Sequence, residues 1–142
     1  MYPTDLTESQ WQYIKKTMNL KERKRKYSLL LIWNALLYVI KTGCQWRMLP
    51  NDFPKWQLVY YYYSKWSDAE DFDFLLAQLR EKVRLNKGQD RDPSLGIMDS
   101  QSVKWGNNLS LNGFDGNKKV KGIKRHVVVD KNGFLLSIMV TV

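Results

Sequence analysis

Lys87-Gly88-Gln89-Asp90-Arg91-Asp92-Pro93-Ser94-Leu95-Gly96-Ile97-Met98-Asp99 is the stretch across which the character of the chain changes. Its first seven residues are polar and include Gly88 and Pro93, the composition of a linker. Upstream, apolar residues recur every three to four positions. Downstream, they gather in short runs rich in β-branched residues, the pattern of strands. The expected class is therefore α+β: four helices over residues 1–87, a linker at 88–94 and a three-stranded antiparallel meander over 95–142.

Upstream, Thr7-Glu8-Ser9-Gln10 is a capping box that opens a helix ending near Asn19. Tyr27 to Thr42 is apolar nearly all round, as expected of the central helix of a bundle, with Gly43 as its C-terminal stop. A helix follows Pro54, with Trp56, Tyr60, Tyr63 and Trp66 at core spacing. Ser67 to Glu70 reads as a second capping box. It would open a helix that turns Phe72, Leu75, Leu76, Leu79 and Val83 inward and ends near Asn86. Downstream, Leu95 to Met98 and Ile123 to Val129 read as strands. Asn132-Gly133 is a hairpin signal, and Phe134 to Val142 is the returning strand.

Composition narrows the function classes. The chain of 142 residues carries 23 basic and 14 acidic side chains, a formal charge of +9, which points to a polyanionic partner. Cys44 is the single cysteine and His126 the single histidine, so an internal disulfide and metal sites built on several His are excluded, and a cysteine-based zinc site is not expected. This fits a cytoplasmic protein. The apolar run Tyr27 to Ile40 is shorter than the ~20 residues of a membrane span and lacks a cleavage signal, so no membrane partner is expected.

Four features carry chemistry. Asp99 follows an apolar strand, a position that offers a carboxylate to a hard cation such as magnesium. Taken alone, the position better suits a strand-ending Asx-turn with Ser100. Lys118 to Arg125 places five cations in eight residues, and Lys21 to Lys26 is a second basic run; both suit phosphate contacts, and both also suit solvated loops. Trp46-Arg47 and Tyr60 to Tyr63 combine aromatic and basic groups. There Tyr61, Tyr62 and Lys65 fall on the face opposite the core positions.

With these residues in view, the chain resembles the insertion-sequence DDE transposases of the family numbered five over nearly its whole length. The front half carries the resemblance through Thr42-Gly43-Cys44-Gln45-Trp46-Arg47-Met48-Leu49-Pro50, Phe53-Pro54-Lys55-Trp56 and Tyr63 to Ser67. The back half carries it through Met98-Asp99-Ser100-Gln101-Ser102-Val103-Lys104, Gly113 to His126, Val129-Asp130 and Gly133. The resemblance implies a helical DNA-binding domain before a ribonuclease-H-like core. It also implies magnesium-dependent cleavage and strand transfer in cut-and-paste transposition, with double-stranded terminal repeats as partner and a homo-oligomer in the full enzyme. Asp99 matches the first catalytic, metal-holding carboxylate.

In the family, the second Asp and the Glu follow later than residue 142. The expectation is thus an incomplete catalytic domain that takes up Mg2+ only with the full triad, complemented by a downstream-frame portion of the transposase. A non-enzymatic DNA-binding repressor of transposition is the alternative. The DNA-contacting set is expected to be Arg23, Lys24, Arg25, Lys26, Arg47, Lys104, Lys118, Lys119, Lys121, Lys124 and Arg125. In a meander whose first strand ends at Asp99, Lys121, Lys124 and Arg125 would lie beside it. Asp130 would sit roughly 20 Å away, and Asp115 in the loop could approach.

Overall fold

The computed structural model describes residues 1–104, 113–115 and 120–141, with 103–104, 113–115 and 120–122 described by their backbone alone. The chain forms two compact units, Met1–Leu75 and Leu76–Val142. Among the described residues the helices are α1 (Glu8–Thr17), α2 (Leu29–Thr42), α3 (Trp56–Asp68) and α4 (Asp71–Asn86), with a short 3-10 turn at Trp46–Met48. None is long and apolar enough to cross a membrane. The boundary between the units falls inside α4, whereas the sequence reading placed a linker at 88–94.

In the first unit the caps set the helix ends. Thr7 and Gln10 form the capping box at the start of α1, the Thr7 N–H donating to Gln10 Oε1 at 2.9 Å. α1 stops where Asn19 takes a left-handed φ of 51°, and Leu20 N–H reaches back to the Lys15 carbonyl at 2.9 Å. Ser28 caps α2, whose first residue, Leu29, lies two residues later than the start read from the apolar run. Gly43, at φ 66°, ends it.

Ile32, Ala35 and Leu36 of α2 are buried against Trp11, Ile14, Val59, Trp66 and Leu75. Each fully buried aliphatic side chain contributes about 1.5–3 kcal/mol. Trp33 stacks on Trp66 at 5.5 Å and meets Phe72 edge-on. Asn34, the polar interruption in α2, accepts the Leu6 N–H at 3.0 Å and so ties down the segment before α1.

Two readings of this half need correction. Ser67 and Asp68 belong to α3, not to a cap of the next helix, because α3 keeps its hydrogen bonds through this turn (Ala69 N–H to Lys65, Glu70 N–H to Ser67). The chain reverses only at Glu70, which takes φ 57°. Leu76 and Leu79 were read as inward-facing but are exposed. The core of the first unit ends at Leu75, and α4 runs on past it.

The second unit holds an antiparallel sheet of β1 (Ile97–Lys104), β2 (Gly113–Asp115), β3 (Val120–Val129) and β4 (Leu135–Thr141). β3 is central: β1 pairs along one side, and β4 and the short β2 pair along the other. The three long strands follow the expected antiparallel order, and β2 adds a short fourth. β1 begins two residues later than read and runs through Asp99 to Lys104, because β3 offers ladder partners that far.

The β3–β4 turn is held by Asp130. Its Oδ1 accepts the N–H groups of Asn132 (2.9 Å) and Phe134 (3.0 Å), while Gly133 supplies φ 84°. The last part of α4 is fastened to this turn. Arg84 Nη1 donates to Asp130 Oδ2 at 2.8 Å, Arg80 Nη1 to the Leu135 carbonyl at 2.7 Å, and Gln89 exchanges amide bonds with Asn132.

Candidate functional site

Side chains alternate along a strand, so the ladder decides what stands beside Asp99. Asp99 is the third residue of β1, opposite Val127 of β3, which is opposite Ile138 of β4. Two positions along, Gln101 faces Arg125, and Arg125 faces Val140. Asp99 is exposed, on a face shared with Ile97, Ile138 and Val140, all exposed, and, among the described side chains, with one cation, Arg125. The Arg125 Nη2 donates to Gln101 Oε1, which orients the guanidinium. No Asx-turn forms at Asp99, because its backbone belongs to the ladder.

The same register corrects three expectations about the neighbourhood. Asp130 lies three positions beyond Val127, about 10 Å along the strand at ~3.3 Å per residue, rather than 20 Å. It is fully buried, with both oxygens engaged by Arg84 and the turn. Burial alone would raise its pKa. The Arg84 hydrogen bond, the two backbone N–H groups and the Arg84 charge outweigh this and hold the carboxyl below its usual range. Its role is structural.

Asp115 pairs with Val120, seven positions from Val127, so its backbone stands roughly 23 Å from the Asp99 rung. It does not approach. Lys121 is six positions away and is not beside Asp99, and Lys124, opposite Ser102, projects to the other face. The cause is common to all three: β1 continues five residues past Asp99, so the start of β3 pairs with its far end. Among the described residues no group of three His, Cys, Asp or Glu side chains could hold a metal ion. His126 is engaged with Thr141, its Nε2 lying 2.9 Å from the hydroxyl.

The other expected DNA contacts fall in several places. Lys118 and Lys119 lie outside the described residues, and Lys104 is described by its backbone alone, pairing with Gly122. Arg47 is exposed, its guanidinium 5.9 Å from the centre of the Trp56 ring. On α3, Trp66 is core as read, but Tyr60 and Tyr63 are 44% and 40% exposed. They carry Trp46 of the 3-10 turn against them instead of pointing into the bundle. Tyr61 is exposed as read, whereas Tyr62 is half-buried against Trp66 at 5.2 Å.

Arg23, Lys24, Arg25 and Lys26 are all exposed. They follow the end of α1, and Lys21, Arg23, Lys24 and Arg25 line a cleft of about 440 Å³ that also touches Trp11, Lys15, Glu22, Ser28 and Leu29. Lys15 and Glu22 form an ion pair across it at 2.6 Å. The hydrogen bond from Lys15, and then its charge, hold the Glu22 carboxyl below its usual range. Lys15, Glu22 and Gln101 were not singled out from the sequence. Lys15 reads as an ordinary last-turn lysine, and only the reversal at Asn19 brings Glu22 back to it.

Family comparison matches the chain in two parts. Residues 6–76 match the family described as "Putative transposase of IS4/5 family", and residues 90–142 match the family described as "Transposase DDE domain". A search of the curated proteins found no match, and a search of the solved structures found none. The first match alone spans half of the chain and the second follows it in order: the chain belongs to the IS4/5 family of DDE transposases.

Proposed function

We propose that the Met1–Leu75 unit grips duplex DNA at the element's terminal repeats through its basic segment. In this reading the Leu76–Val142 unit supplies Asp99 as one metal-holding carboxylate of a ribonuclease-H-like site, within an oligomeric cut-and-paste transposase. The observation that carries the reading is the contrast between two aspartates of the sheet unit, one on β1 and one in the β3–β4 turn. Asp130 is buried and fully engaged, whereas Asp99 stands exposed on an open sheet face. A carboxylate oxygen so placed suits magnesium, which is held by one or two carboxylates together with water and substrate phosphate. When bound, a metal pair supplies a clamp on the attacking and leaving oxygens of an in-line displacement.

Arg125, held by Gln101 on the same face, is placed to neutralise a DNA phosphate brought to Asp99. Neither Asp130 nor Asp115 reaches Asp99, so its partner carboxylates come from outside the described residues. A downstream portion of the transposase is the source we favour. The chain by itself then binds without cutting, and as a separate binder it would occupy the element's ends and repress transposition.

The test uses the 142-residue chain and a supercoiled plasmid carrying element ends. The expected result is duplex binding in EDTA and no nicking on addition of Mg2+. Mg2+-dependent nicking abolished by Asp99→Asn would overturn the incomplete-site reading. Failure to bind duplex DNA at low salt would overturn the DNA-binding role.

A further inference from the structure

The cleft between the end of α1 and the start of α2 combines three features that the basic run alone does not reveal. It is concave, with the Trp11 and Leu29 side chains among its lining. Lys21, Arg23, Lys24 and Arg25 all border it and all are exposed, so four cations stand around one hollow. It also contains its own anion. Glu22 is the single acidic residue in the run Lys21 to Lys26, and its carboxylate is paired with Lys15 at 2.6 Å. The Lys15 side chain is 25% exposed, but that of Glu22 is 77% exposed, so the carboxylate can leave for water while the ammonium stays.

We propose that this cleft receives the phosphate backbone of duplex DNA, each of its free cations neutralising one phosphate, and that Glu22 is a built-in competitor for the phosphate that Lys15 would hold. In the free chain the Glu22 carboxylate serves as counter-ion to Lys15. When DNA enters, Lys15 exchanges that carboxylate for a phosphate oxygen and joins Arg23 and Lys24 as a contact. This deepens the DNA-binding reading and rests on it. It adds Lys15 to the contact set and gives Glu22 a regulatory role, that of weakening non-specific retention. An exposed pair is cheap to exchange, so the competition tunes affinity without abolishing it.

The experiment is a salt titration of duplex binding, followed by fluorescence anisotropy with a labelled 20-base-pair oligonucleotide and the full chain. Glu22→Gln should tighten binding at low salt by about two- to fivefold. Adding Lys15→Gln to Glu22→Gln should remove that gain and flatten the log–log salt slope by about 0.9, the value of one phosphate contact. Asp68→Asn, which removes an exposed carboxylate at the end of α3, separates competition from net charge and should change binding less than Glu22→Gln does.

Equal tightening by Asp68→Asn, or a double variant that binds with the same slope as Glu22→Gln, would overturn the proposal. In either case duplex binding by the unaltered chain would stand. Loss of binding by the unaltered chain itself would instead bring down the underlying DNA reading. Circular dichroism of each variant checks that the helices are intact.

Discussion

Replacing Arg23 and Lys24 together by glutamine tests which cations of the basic segment carry the phosphate contacts. The structure separates them. Lys26 lies over the Tyr27 ring at 5.4 Å, and Arg25 donates to the Lys21 carbonyl at 3.1 Å. Arg23 and Lys24 are exposed at the cleft. Each phosphate neutralised contributes about 0.9 to the slope of log K against log salt, so losing both contacts flattens it by about 1.8. Between about 50 and 200 mM salt, the unaltered chain should then lose roughly 12-fold more affinity than the variant. Anisotropy titrations at four or five salt concentrations resolve a change of that size.

The control is Lys41→Gln. Lys41 is exposed in the last turn of α2, about 18 Å along the helix from its first residue, and its loss should leave the slope unchanged. Exposed substitutions of this kind alter stability by no more than about 0.5 kcal/mol, so folding does not confuse the readout. A slope unchanged by Arg23→Gln/Lys24→Gln, or flattened equally by Lys41→Gln, would refute the reasoning.

Ile32→Ala, at a fully buried position, should cost about 2–5 kcal/mol of the first unit's stability in urea unfolding followed by tryptophan fluorescence. Gly43→Ala meets no atom within 4 Å, so its cost is the left-handed φ of 66° alone, roughly 1–2 kcal/mol in the same assay. Asp130 has a pKa below its ordinary 3.8, so the stability it adds is present above that value and lost as pH falls through the lower, folded-state value. Amide exchange in the β3–β4 hairpin should therefore quicken as pH drops below about 4 after correction for intrinsic rates, and Asp130→Asn should remove that step. A step that persists in the variant would assign it to another group.

Much of the local structure was legible in the sequence because it is decided within a few residues. The Thr7–Gln10 capping box, the stop at Gly43, the Asn132-Gly133 turn and the apolar core of α2 depend on backbone conformation and helical period, which neighbouring residues set. The Ser67–Glu70 reading failed for the converse reason. Its spacing fits a cap, but α3 continues through it, and the reversal waits for Glu70. Leu76 and Leu79 matched a helical stripe whose core had already ended at Leu75.

Asp99 shows the same divide at the site. Its sequence context, Met98-Asp99-Ser100-Gln101-Ser102, marked it as a carboxylate of interest and carried the family resemblance. Its neighbours depend on strand register, and a shift of one residue in register moves a side chain to the other face. Only the paired sheet placed Val127 opposite Asp99, brought Arg125 and Gln101 onto its face, and sent Lys124 to the other. Only the folded second unit closed Asp130 around Arg84, 46 residues earlier in the chain. Short-range patterns determined which elements form and which residues bear charge; contacts across long loops decided which of those charges are engaged and which are left open to a partner.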